Sequence, residues 1–585
     1  MRLKKPAVVR ATAALMTLAA CGGGSSSGKN PNAVETVGAG VNAGAGQNPN
    51  AQAPAADVPG AQKGGTVTVD AYVSPSTLDP TRAYYTDSTA ILSGLVTRSL
   101  TQYKYDPKSN QMVLVPDMAT DLGQPNEDNT EWTFTLRDGL KYEDGTPVKA
   151  EDVAYAIKRS FAVDELPDGP TYNQTFFLDG DKYKGPFKDG LNYKGVVVKG
   201  NKITIKMRRP FGDMAYYASF PAFSAIPAAK DKDPQKYGNH PMATGPYKFA
   251  NYRPGQSLTL VKNTNWDPNT DPARHQYADK FVFNWNQNQS KTDNVLIDDQ
   301  AAAQTTISYT DVLTANYAKA RQTGRLTQGT SPCTYMWYLD TKKIKNVDVR
   351  RAIGWAYPYR AAWRAGGYIE GVTRQPSSTL LPPGTAGRLK FEPVPGMDGK
   401  TTDPKKAKAL LKKANAMGFE VRFPYQTNVP ESVKAKDQIV KALEDAGFKA
   451  TPVAATSDTI RDMQSDATSD INVRSSGWCS DWPSGGSWFP AIFDGSLVGQ
   501  AGMPNQSQID EPEINKGIDR ILDNKTGAAA NKAWGQLDKT MMQKYYPAVL
   551  IGYTGVAYLN GSKIGGVSND SVRGVPNFTN LYVKK

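Results

Sequence analysis

Alternating apolar and polar side chains predict a hairpin in the first half of the chain. Residues 132–137 read Trp-Thr-Phe-Thr-Leu-Arg, a period of two that is typical of a strand with one buried face. The same period recurs at residues 203–207, which follow a valine run at 196–198 across the pair Gly200-Asn201. A short glycine-containing pair between two such runs indicates a tight turn. The sequence therefore predicts that residues 196–198 and residues 203–207 pair as a hairpin.

Helical patterns between strands predict a crossover unit in the second half of the chain. Asp403 is a good helix N-cap, and Pro404 suits the first helical position. Residues 419–425 then alternate as a strand, an amphipathic helix runs to Gly447, and residues 451–453 are extended again. A strand, a helix and a strand in this order form a parallel crossover, which is normally right-handed. The fold class predicted from the residues is therefore mixed α/β.

Composition places the chain among soluble globular proteins of about three domains. It has 585 residues, of which 39% are hydrophobic and 21% are charged. Four of the positive charges behind the net charge of +13 lie in the first ten residues, and the others are mixed with acidic residues. A protein that binds nucleic acid would concentrate its basic residues in a patch or stripe. The composition therefore predicts no nucleic-acid partner.

The chemistry-bearing residues do not indicate an enzyme or a metal protein. His240 and His275 are the two histidines, and they lie far apart in the sequence. We find no G-x-S-x-G elbow between a strand and a helix, no H-E-x-x-H, no C-x-x-C pair and no P-loop. We therefore expect no catalytic residues, no metal site and no cofactor. A secreted hydrolase built on scattered carboxylates is the enzymatic alternative.

The first twenty residues have the layout of a secretory signal. Residues 1–10 are basic, residues 11–20 are apolar, and small side chains precede Cys21. The apolar stretch is shorter than the ~20 residues that a membrane-spanning helix needs. The motif Leu-Ala-Ala-Cys that ends at Cys21 resembles the lipobox of bacterial lipoproteins. This resemblance implies that residues 1–20 are removed and that Cys21 carries a lipid anchor.

A tether is expected after the anchor. Residues 22–60 are rich in Gly, Ala, Asn, Ser and Pro and have almost no aromatic or long aliphatic side chains. Such a segment buries too little apolar surface to order itself. We therefore expect residues 21–63 to be a lipidated cysteine with a flexible tether, and the folded body to begin near residue 64.

Two cysteines remain in the body of the chain, Cys333 and Cys479. In an oxidising, exported setting two such residues are expected to pair as a disulfide. The sequence leaves the alternative of two separate buried thiols open, because it does not show whether their Cα atoms lie close enough.

Five motifs occur in order along the body. They are TFTLRDGLKYEDGTPV at 133–148, ATGPYKF at 243–249, DVRRAI at 348–353, DPKKA at 403–407 and WCSDW at 478–482. This ordered set resembles the peptide/oligopeptide/nickel class, family 5, of extracellular solute-binding proteins of ABC importers. The resemblance spans residue 64 to the C-terminus. Residues 356–359 depart from the family pattern, which weakens the transfer of detail to the helix that follows them.

The resemblance implies a bilobal, periplasmic-binding-protein-like α/β fold with a hinge, of the large class with an extra domain. Domain I is then discontinuous and covers residues 64–98, 226–330 and 553–585. Domain II covers residues 99–225, and domain III covers residues 331–552. The lobes close over a ligand, and the closed form presents a new surface to a membrane permease.

The resemblance also implies a role for Asp481 as the carboxylate that receives the α-ammonium group of a short peptide. Trp478, Cys479 and Trp482 flank it, and aromatic walls with one charge suit an amphipathic ligand. Inside a closed cleft, an ammonium–carboxylate pair is stronger than in water. An arginine or lysine is expected at the ligand carboxylate. The other candidate ligand-binding residues are Tyr84, Tyr85, Tyr335 and Arg474.

The function implied is that of a monomeric, lipid-anchored binding protein on the extracytoplasmic face of the cell membrane. It would capture short peptides and deliver them to the transmembrane subunits of an ABC permease with its cytoplasmic ATPase. One alternative keeps the fold and changes the solute to a nickel complex, an oligosaccharide, an opine or a siderophore. Another is a sensor that collects a peptide signal. Only residues 478–482 favour a peptide over these solutes.

Overall fold

The structure, a computed structural model, describes residues 46–457, 459–500 and 503–585. The expected signal segment, Cys21 and the first part of the expected tether lie outside these ranges. Within them, no helix combines the length and the apolar character that crossing a bilayer requires.

The described chain is mixed α/β, as the sequence predicts. Strands β1 to β11 are Gly46–Gln47, Thr66–Asp70, Thr101–Asp106, Gln111–Pro116, Gln124–Pro125, Glu131–Thr135, Val196–Lys199, Lys202–Lys206, Tyr247–Arg253, Ser257–Lys262 and Lys280–Asn284. Strands β12 to β22 are Thr306–Ser308, Leu326–Leu339, Arg374–Gln375, Glu420–Gln426, Lys449–Ala455, Val473–Cys479, Ala548–Leu559, Ile564–Gly565, Asn569–Asp570, Val575–Pro576 and Tyr582–Val583. Helices α1 to α15 are Thr86–Ile91, Ala150–Arg159, Tyr172–Phe176, Pro186–Asp189, Met214–Tyr217, Gln289–Ile297, Tyr317–Gln322, Val347–Ala356, Tyr359–Ala365, Pro404–Lys413, Pro430–Asp445, Ile460–Ser465, Phe489–Ile492, Pro512–Asn524 and Gly527–Thr540.

A mixed five-stranded sheet organises the region expected as domain I. Its order is β12-β2-β11-β10-β9, in which β2 runs parallel to both of its neighbours. Val67 and Val69 of β2 and Phe281 and Phe283 of β11 share one buried cluster, because alternate side chains of a strand point to the same face. The chain leaves this sheet after β2 and reaches α1 through a loop that includes Tyr84.

The region expected as domain II contains the predicted hairpin. Val198 pairs with Ile203 and Lys199 pairs with Lys202, which confirms the turn between β7 and β8. β8 also pairs with β6, so the sheet order is β5-β6-β8-β7. Helix α2 packs its apolar side chains against this sheet in one buried cluster.

The region expected as domain III combines an antiparallel sheet, β14-β18-β13-β17, with the parallel pair β15-β16. Helix α11 joins β15 to β16, which confirms the predicted crossover unit. Helix α10 begins where the sequence predicts, since the Asp403 side chain accepts a hydrogen bond from the Lys406 backbone N–H at 3.0 Å. Strand β17 lies at one end of the antiparallel sheet and pairs with β13.

The two longest strands of the described chain, β13 and β18, run from the domain I region into the domain III region. They are 14 and 12 residues long and pair antiparallel. Their pairing shifts register between Thr330 and Thr334, opposite Gly555 and Tyr553. This irregularity coincides with the boundary expected between domains I and III.

Residues 46–63 are packed on the body, so the expectation of a flexible tether over the whole of 21–63 is wrong for this part. β1 pairs parallel with β4, and the Ala55 N–H donates to the Asp271 carbonyl oxygen at 3.0 Å. The Val58 N–H donates to the Tyr277 hydroxyl oxygen at 3.0 Å. Backbone hydrogen bonds to the body therefore order a segment that has few large apolar side chains.

A buried ionic cluster connects the regions expected as domains I and II. Both oxygens of Asp117 accept hydrogen bonds at 2.8 Å, one from Arg98 Nε and the other from Arg274 Nη2. Asp271 completes the cluster through Arg274 Nη1 at 3.1 Å. All four side chains are at most 1% exposed. Burial alone would raise the pKa of Asp271, but the two arginines lower it overall.

Candidate functional site

A cavity of about 570 Å³ lies where the three expected domains meet. We call it the Asp481 cavity. Its wall is formed by the loop before α1, by residues 219–221 and by the end of β17 with the loop that follows it. Tyr84, Tyr85, Trp478, Cys479 and Asp481 line it, so five of the eight predicted ligand-binding residues lie together.

Asp481 is held by one tyrosine from each of the other two regions. The hydroxyl groups of Tyr84, at 2.8 Å, and Tyr172 both donate hydrogen bonds to Asp481 Oδ2. Oδ1 receives no hydrogen bond from the part of the chain that the structure describes. No Lys, Arg or His nitrogen of these residues lies within 4.0 Å of the carboxylate. The site therefore presents a carboxylate that is oriented but not neutralised.

Burial makes the Asp481 carboxylate difficult to ionise. It raises the pKa of Asp481 to about 7, against the opposing effect of the two tyrosine hydrogen bonds. A cation that enters the cavity would favour the ionised form, because an opposite charge at short range stabilises the carboxylate in a medium of reduced dielectric. The arrangement is therefore suited to bind an ammonium group.

We expect the binding of a cationic ligand to weaken as the pH falls below about 7. The pKa of Asp481 is raised in the folded, ligand-free protein, so the neutral form predominates below that pH and a ligand must displace a proton. Affinity should fall by up to about tenfold per pH unit in this range, as measured by calorimetry between pH 5 and pH 8. The raised pKa also affects the free energy of unfolding. The protonated carboxyl group of Asp481 stabilises the folded state at low pH, and this stabilisation is lost as the pH rises through 7. A flat affinity profile from pH 5 to 7 would contradict the prediction, and Asp481→Asn should lose the dependence.

The loop that carries Asp481 is fixed by hydrogen bonds to β13 and to the residues that follow the loop. The Ser480 N–H donates to the Pro332 carbonyl oxygen at 2.8 Å, and Trp488 Nε1 donates to Ser480 Oγ at 2.7 Å. Trp478 Nε1 donates to the Ser487 carbonyl oxygen at 2.9 Å. The carboxylate is therefore presented by a rigid loop.

A disulfide joins Cys333 of β13 to Cys479 of β17, at directly paired positions of the two strands. The two cysteines are 146 residues apart in sequence. The bond fixes the start of the domain III region to the residue two positions before Asp481.

Reduction of this disulfide should lower the free energy of unfolding by about 2–4 kcal/mol, because it releases a long loop in the unfolded chain. The thermal unfolding midpoint, measured with and without a phosphine reductant, tests this expectation. A Cys333→Ser/Cys479→Ser double variant is the control and should not respond to the reductant. An unchanged midpoint in the wild type after a thiol assay shows complete reduction would contradict the prediction.

Trp482 does not line the Asp481 cavity, so its predicted contact with a ligand is wrong. It is fully buried in the aromatic core of the domain II region, with its ring centroid 4.7 Å from that of Tyr172. Its Nε1 donates to Asp213 Oδ2 at 2.8 Å. The chain turns after Asp481, so the Trp482 side chain packs into the core and anchors the loop there.

Arg474 and Tyr335 are also placed away from the Asp481 cavity. The Arg474 side chain is fully buried and pairs with Asp340 at 3.0 Å, so it is committed to the interior and the expectation that it meets a ligand carboxylate is wrong. Tyr335 lies against a second cavity in the domain III region and not the first.

Sequence reasoning missed Tyr172 and Arg461. Tyr172 lies 309 residues from Asp481 in sequence, in a short helix without a periodic pattern. Arg461 lines the Asp481 cavity, and its Nη1 donates to the Tyr85 hydroxyl oxygen at 3.2 Å. No local motif marks either residue.

Across the described ranges, no group of three or more His, Cys, Asp or Glu side chains is arranged to hold a metal ion.

Comparison with known proteins gives one consistent family. The model of bacterial extracellular solute-binding proteins, family 5 Middle, matches residues 113–499. The probable D,D-dipeptide-binding periplasmic protein DdpA of Escherichia coli K12 is 22% identical over 453 residues, which are 76% of this chain and 80% of that protein. The oligopeptide-binding protein OppA of Bacillus subtilis 168 is 25% identical over 302 residues, so that match spans about half of each chain.

Solved structures show the same architecture. Clavulanic acid biosynthesis oligopeptide binding protein 2 superposes with a TM-score of 0.82 at 24% identity, covering 93% of this chain and 99% of that one. The periplasmic binding protein DppA from Helicobacter pylori, in complex with the peptide STSA, gives a TM-score of 0.70 at 16% identity and covers 90% and 99%. At these identities the likeness concerns the fold.

Proposed function

Because the chain belongs to family 5 of the bacterial extracellular solute-binding proteins, we propose that it captures short peptides in the Asp481 cavity and delivers them to an ABC permease. The observation that carries this proposal is the Asp481 carboxylate, which is oriented by two tyrosines and has no cationic partner within 4.0 Å in the described residues. An α-ammonium group is the cation that all unmodified peptides share. A carboxylate of this kind therefore supports recognition of peptides independently of their side chains.

The backbone of a peptide also finds a suitable partner beside Asp481. Strand β17 lies at the end of its sheet, and its residues 475–479 are partly exposed toward the cavities. An extended peptide that adds to such an edge satisfies its own N–H and C=O groups without regard to sequence. Edge pairing and the ammonium site together support a cargo of varied short peptides.

The names of several relatives and structural neighbours support a peptide cargo. They include the D,D-dipeptide-, oligopeptide- and glutathione-binding proteins among the curated relatives. A neighbour named AgaA, in complex with agropinic acid, has a TM-score of 0.66 at 20% identity. An opine is therefore the second candidate cargo, and the other solutes named above are further alternatives.

Closure of the lobes is proposed to occur about the irregular part of the β13–β18 ladder. Register changes there between Thr330 and Thr334, and the backbone pairing is interrupted where the expected domain boundary falls. Hinges are typically a few residues that absorb changes of backbone torsion angle. The proposed domains are those given above, except that residues 46–63 are assigned to the body.

The proposed cellular setting is the extracytoplasmic face of the cell membrane. A lipid on Cys21 would anchor a monomeric binding protein there, next to its permease. This role needs no catalysis, and we propose that the protein is a binding protein and not an enzyme.

Mass spectrometry of the ligands that co-purify with the protein tests the proposed cargo. We expect peptides of a few residues, released on denaturation. Calorimetry with an alanine series from dipeptide to hexapeptide should then find at least one length that binds, and N-acetylation of that peptide should abolish binding. Co-purification of an opine or a sugar, together with no binding of any alanine peptide, would overturn the peptide proposal and leave the family unaffected.

A further inference from the structure

A second cavity of about 390 Å³ lies within the domain III region, between the β14-β18-β13-β17 sheet and helix α11. We call it the Arg374 cavity. It shares no lining residue with the Asp481 cavity, but both border on β17 and α12. Ser475 faces the Arg374 cavity and Ser476 faces the Asp481 cavity, because adjacent strand residues point to opposite faces. The two cavities are therefore neighbours on either side of one strand.

Arg374 is the unusual residue of this cavity. It is 2% exposed, and its Nε and Nη1 atoms have no hydrogen-bond partner. A buried guanidinium without partners is costly, since each unsatisfied N–H group loses its hydration without compensation. No Asp or Glu oxygen of the described residues lies within 4.0 Å of it. The Nε and Nη1 groups are therefore free to donate hydrogen bonds to an acceptor that enters the cavity.

The surroundings hold this guanidinium in one place. The central carbon Cζ of the guanidinium lies 4.4 Å from the centroid of the Tyr335 ring and 3.9 Å from the centroid of the Tyr368 ring. Gly552 makes room for it, because a Cβ atom there would lie 2.5 Å from Arg374 Cδ. Tyr335 is 40% exposed and Tyr368 is 37% exposed, so one edge of the stack faces solvent. Stacking on aromatic faces stabilises the cation without using its N–H groups, which leaves them for a ligand.

The other charged groups near this cavity do not form an ion pair with Arg374. Asp311 is close enough to affect it electrostatically, and burial raises the pKa of Asp311 to about 6, against the opposing effect of Arg374. Its Oδ1 is already occupied, because it accepts a hydrogen bond from the Ala557 N–H at 2.6 Å. Glu431 and Lys436 also line the cavity, and Lys436 pairs with Asp437.

We propose that the Arg374 cavity binds a carboxylate carried by the captured ligand, through the guanidinium of Arg374. A planar fork of N–H donors matches the two oxygens of a carboxylate. Trp337, Tyr357, Trp363, Phe423 and Tyr425 contribute aromatic surface to the cavity. The cavity thus selects a carboxylate attached to an apolar or aromatic group. The inference rests on the proposed function in one respect, namely that the carboxylate belongs to the peptide whose ammonium group meets Asp481.

Two arginines, Arg461 and Arg573, line the Asp481 cavity itself. Arg573 already pairs with Asp570 at 2.6 Å, so Arg461 is the competing partner for the ligand carboxylate. Arg461 is exposed and already donates a hydrogen bond to the Tyr85 hydroxyl oxygen, so its charge is hydrated. Binding of a ligand carboxylate to Arg461 therefore gains little free energy, because it replaces this hydration. Arg374 is buried and unsatisfied, so a carboxylate gains more from it. A test must therefore compare Arg374 with Arg461.

The test titrates the alanine peptide that binds, as the free acid and as the C-terminal amide, into four proteins by calorimetry. Wild type should bind the acid about tenfold more tightly than the amide. Arg374→Met should bind the acid about tenfold more weakly and lose the distinction. Arg461→Met and the exposed control Arg364→Met should retain it. Equal affinities of acid and amide for the wild type, or a distinction that persists in Arg374→Met, would overturn the inference and leave the proposed function standing.

Two further measurements keep the outcome interpretable. The Arg374→Met variant should fold, because the group that it removes has no hydrogen-bond partners. If this variant does not fold, Arg374→Lys takes its place, since lysine retains the charge and lacks the planar guanidinium. If no peptide binds the wild type, the proposed function fails, and phenylacetate alone decides the inference. Binding of phenylacetate that Arg374→Met abolishes would support a free carboxylate as the source, whereas binding to neither protein or equally to both would overturn it.

Discussion

Asp481→Asn is expected to weaken the binding of a short peptide about 100-fold or more. The substitution keeps the shape of the side chain and its capacity to accept hydrogen bonds from Tyr84 and Tyr172. It removes the negative charge, so the α-ammonium group of the peptide would be buried in the cavity without a counterion. Loss of one partner of a buried charged pair typically costs about 2–5 kcal/mol, and about 3 kcal/mol corresponds to a factor of 100 or more. Calorimetry with the alanine peptide that binds the wild type measures the effect.

Asp462→Asn is the matched control for this experiment. Asp462 is exposed on α12, one position from Arg461, and the substitution changes the net charge by the same amount. It should leave the affinity unchanged. The thermal unfolding midpoint of Asp481→Asn should not fall, because burial already opposes the ionised form of this carboxyl group. Unchanged peptide affinity in a folded Asp481→Asn protein would refute the assigned role of the carboxylate.

Asp117→Asn is expected to destabilise the protein by about 3–5 kcal/mol, the typical cost of removing one partner from a buried ion pair. Asp117 accepts from Arg98 and Arg274, and all three side chains are fully buried. Without its charge, the two guanidinium groups share only the carboxylate of Asp271. A buried excess positive charge then remains where the regions expected as domains I and II meet. Denaturant unfolding followed by tryptophan fluorescence measures the change.

Asp233→Asn tests whether this effect depends on burial. Asp233 pairs with Lys236 on the surface, and both side chains are largely exposed. Exposed ion pairs contribute little to stability, so this variant should unfold like the wild type. If Asp117→Asn and Asp233→Asn unfold at the same denaturant concentration as the wild type, the buried cluster is not a major source of stability.

The elements that the sequence predicts correctly are those whose signals are local. The turn at Gly200-Asn201 and the helix start at Asp403 depend on residues within a few positions of each other, and both are present. The crossover through α11 follows from the order of the patterns and from the handedness rule. These elements could be predicted without knowing what they pack against.

The candidate site was predictable only in part, because its geometry depends on contacts between distant segments. Asp481 and Trp478 belong to a recognisable motif, but the direction of Trp482 depends on the turn between them and on Asp213, which is 269 residues away. Arg474 finds its partner Asp340 at a separation of 134 residues. Proximity in sequence to Asp481 therefore singled out an arginine that is committed to the interior, and the unpaired Arg374 belongs to no recognisable motif.

Composition also misjudged the segment at residues 46–63. It has few large apolar side chains, and its order comes from backbone hydrogen bonds to the body, such as that from Ala55 to Asp271. The residue types of the segment do not encode such bonds, because every residue except proline carries the same donor and acceptor.

The position of this segment has a consequence for self-association. β1 lies along β4 at the margin of the three-stranded β1-β4-β3 sheet, and the Asn48 N–H donates to the Leu114 carbonyl oxygen at 2.8 Å just beyond it. Uncovered strand margins invite pairing with a second molecule, which is a common route to aggregation. Here the chain covers the margin of β4 with residues 46–48. This margin of the sheet is thereby protected from pairing with a strand of a second molecule.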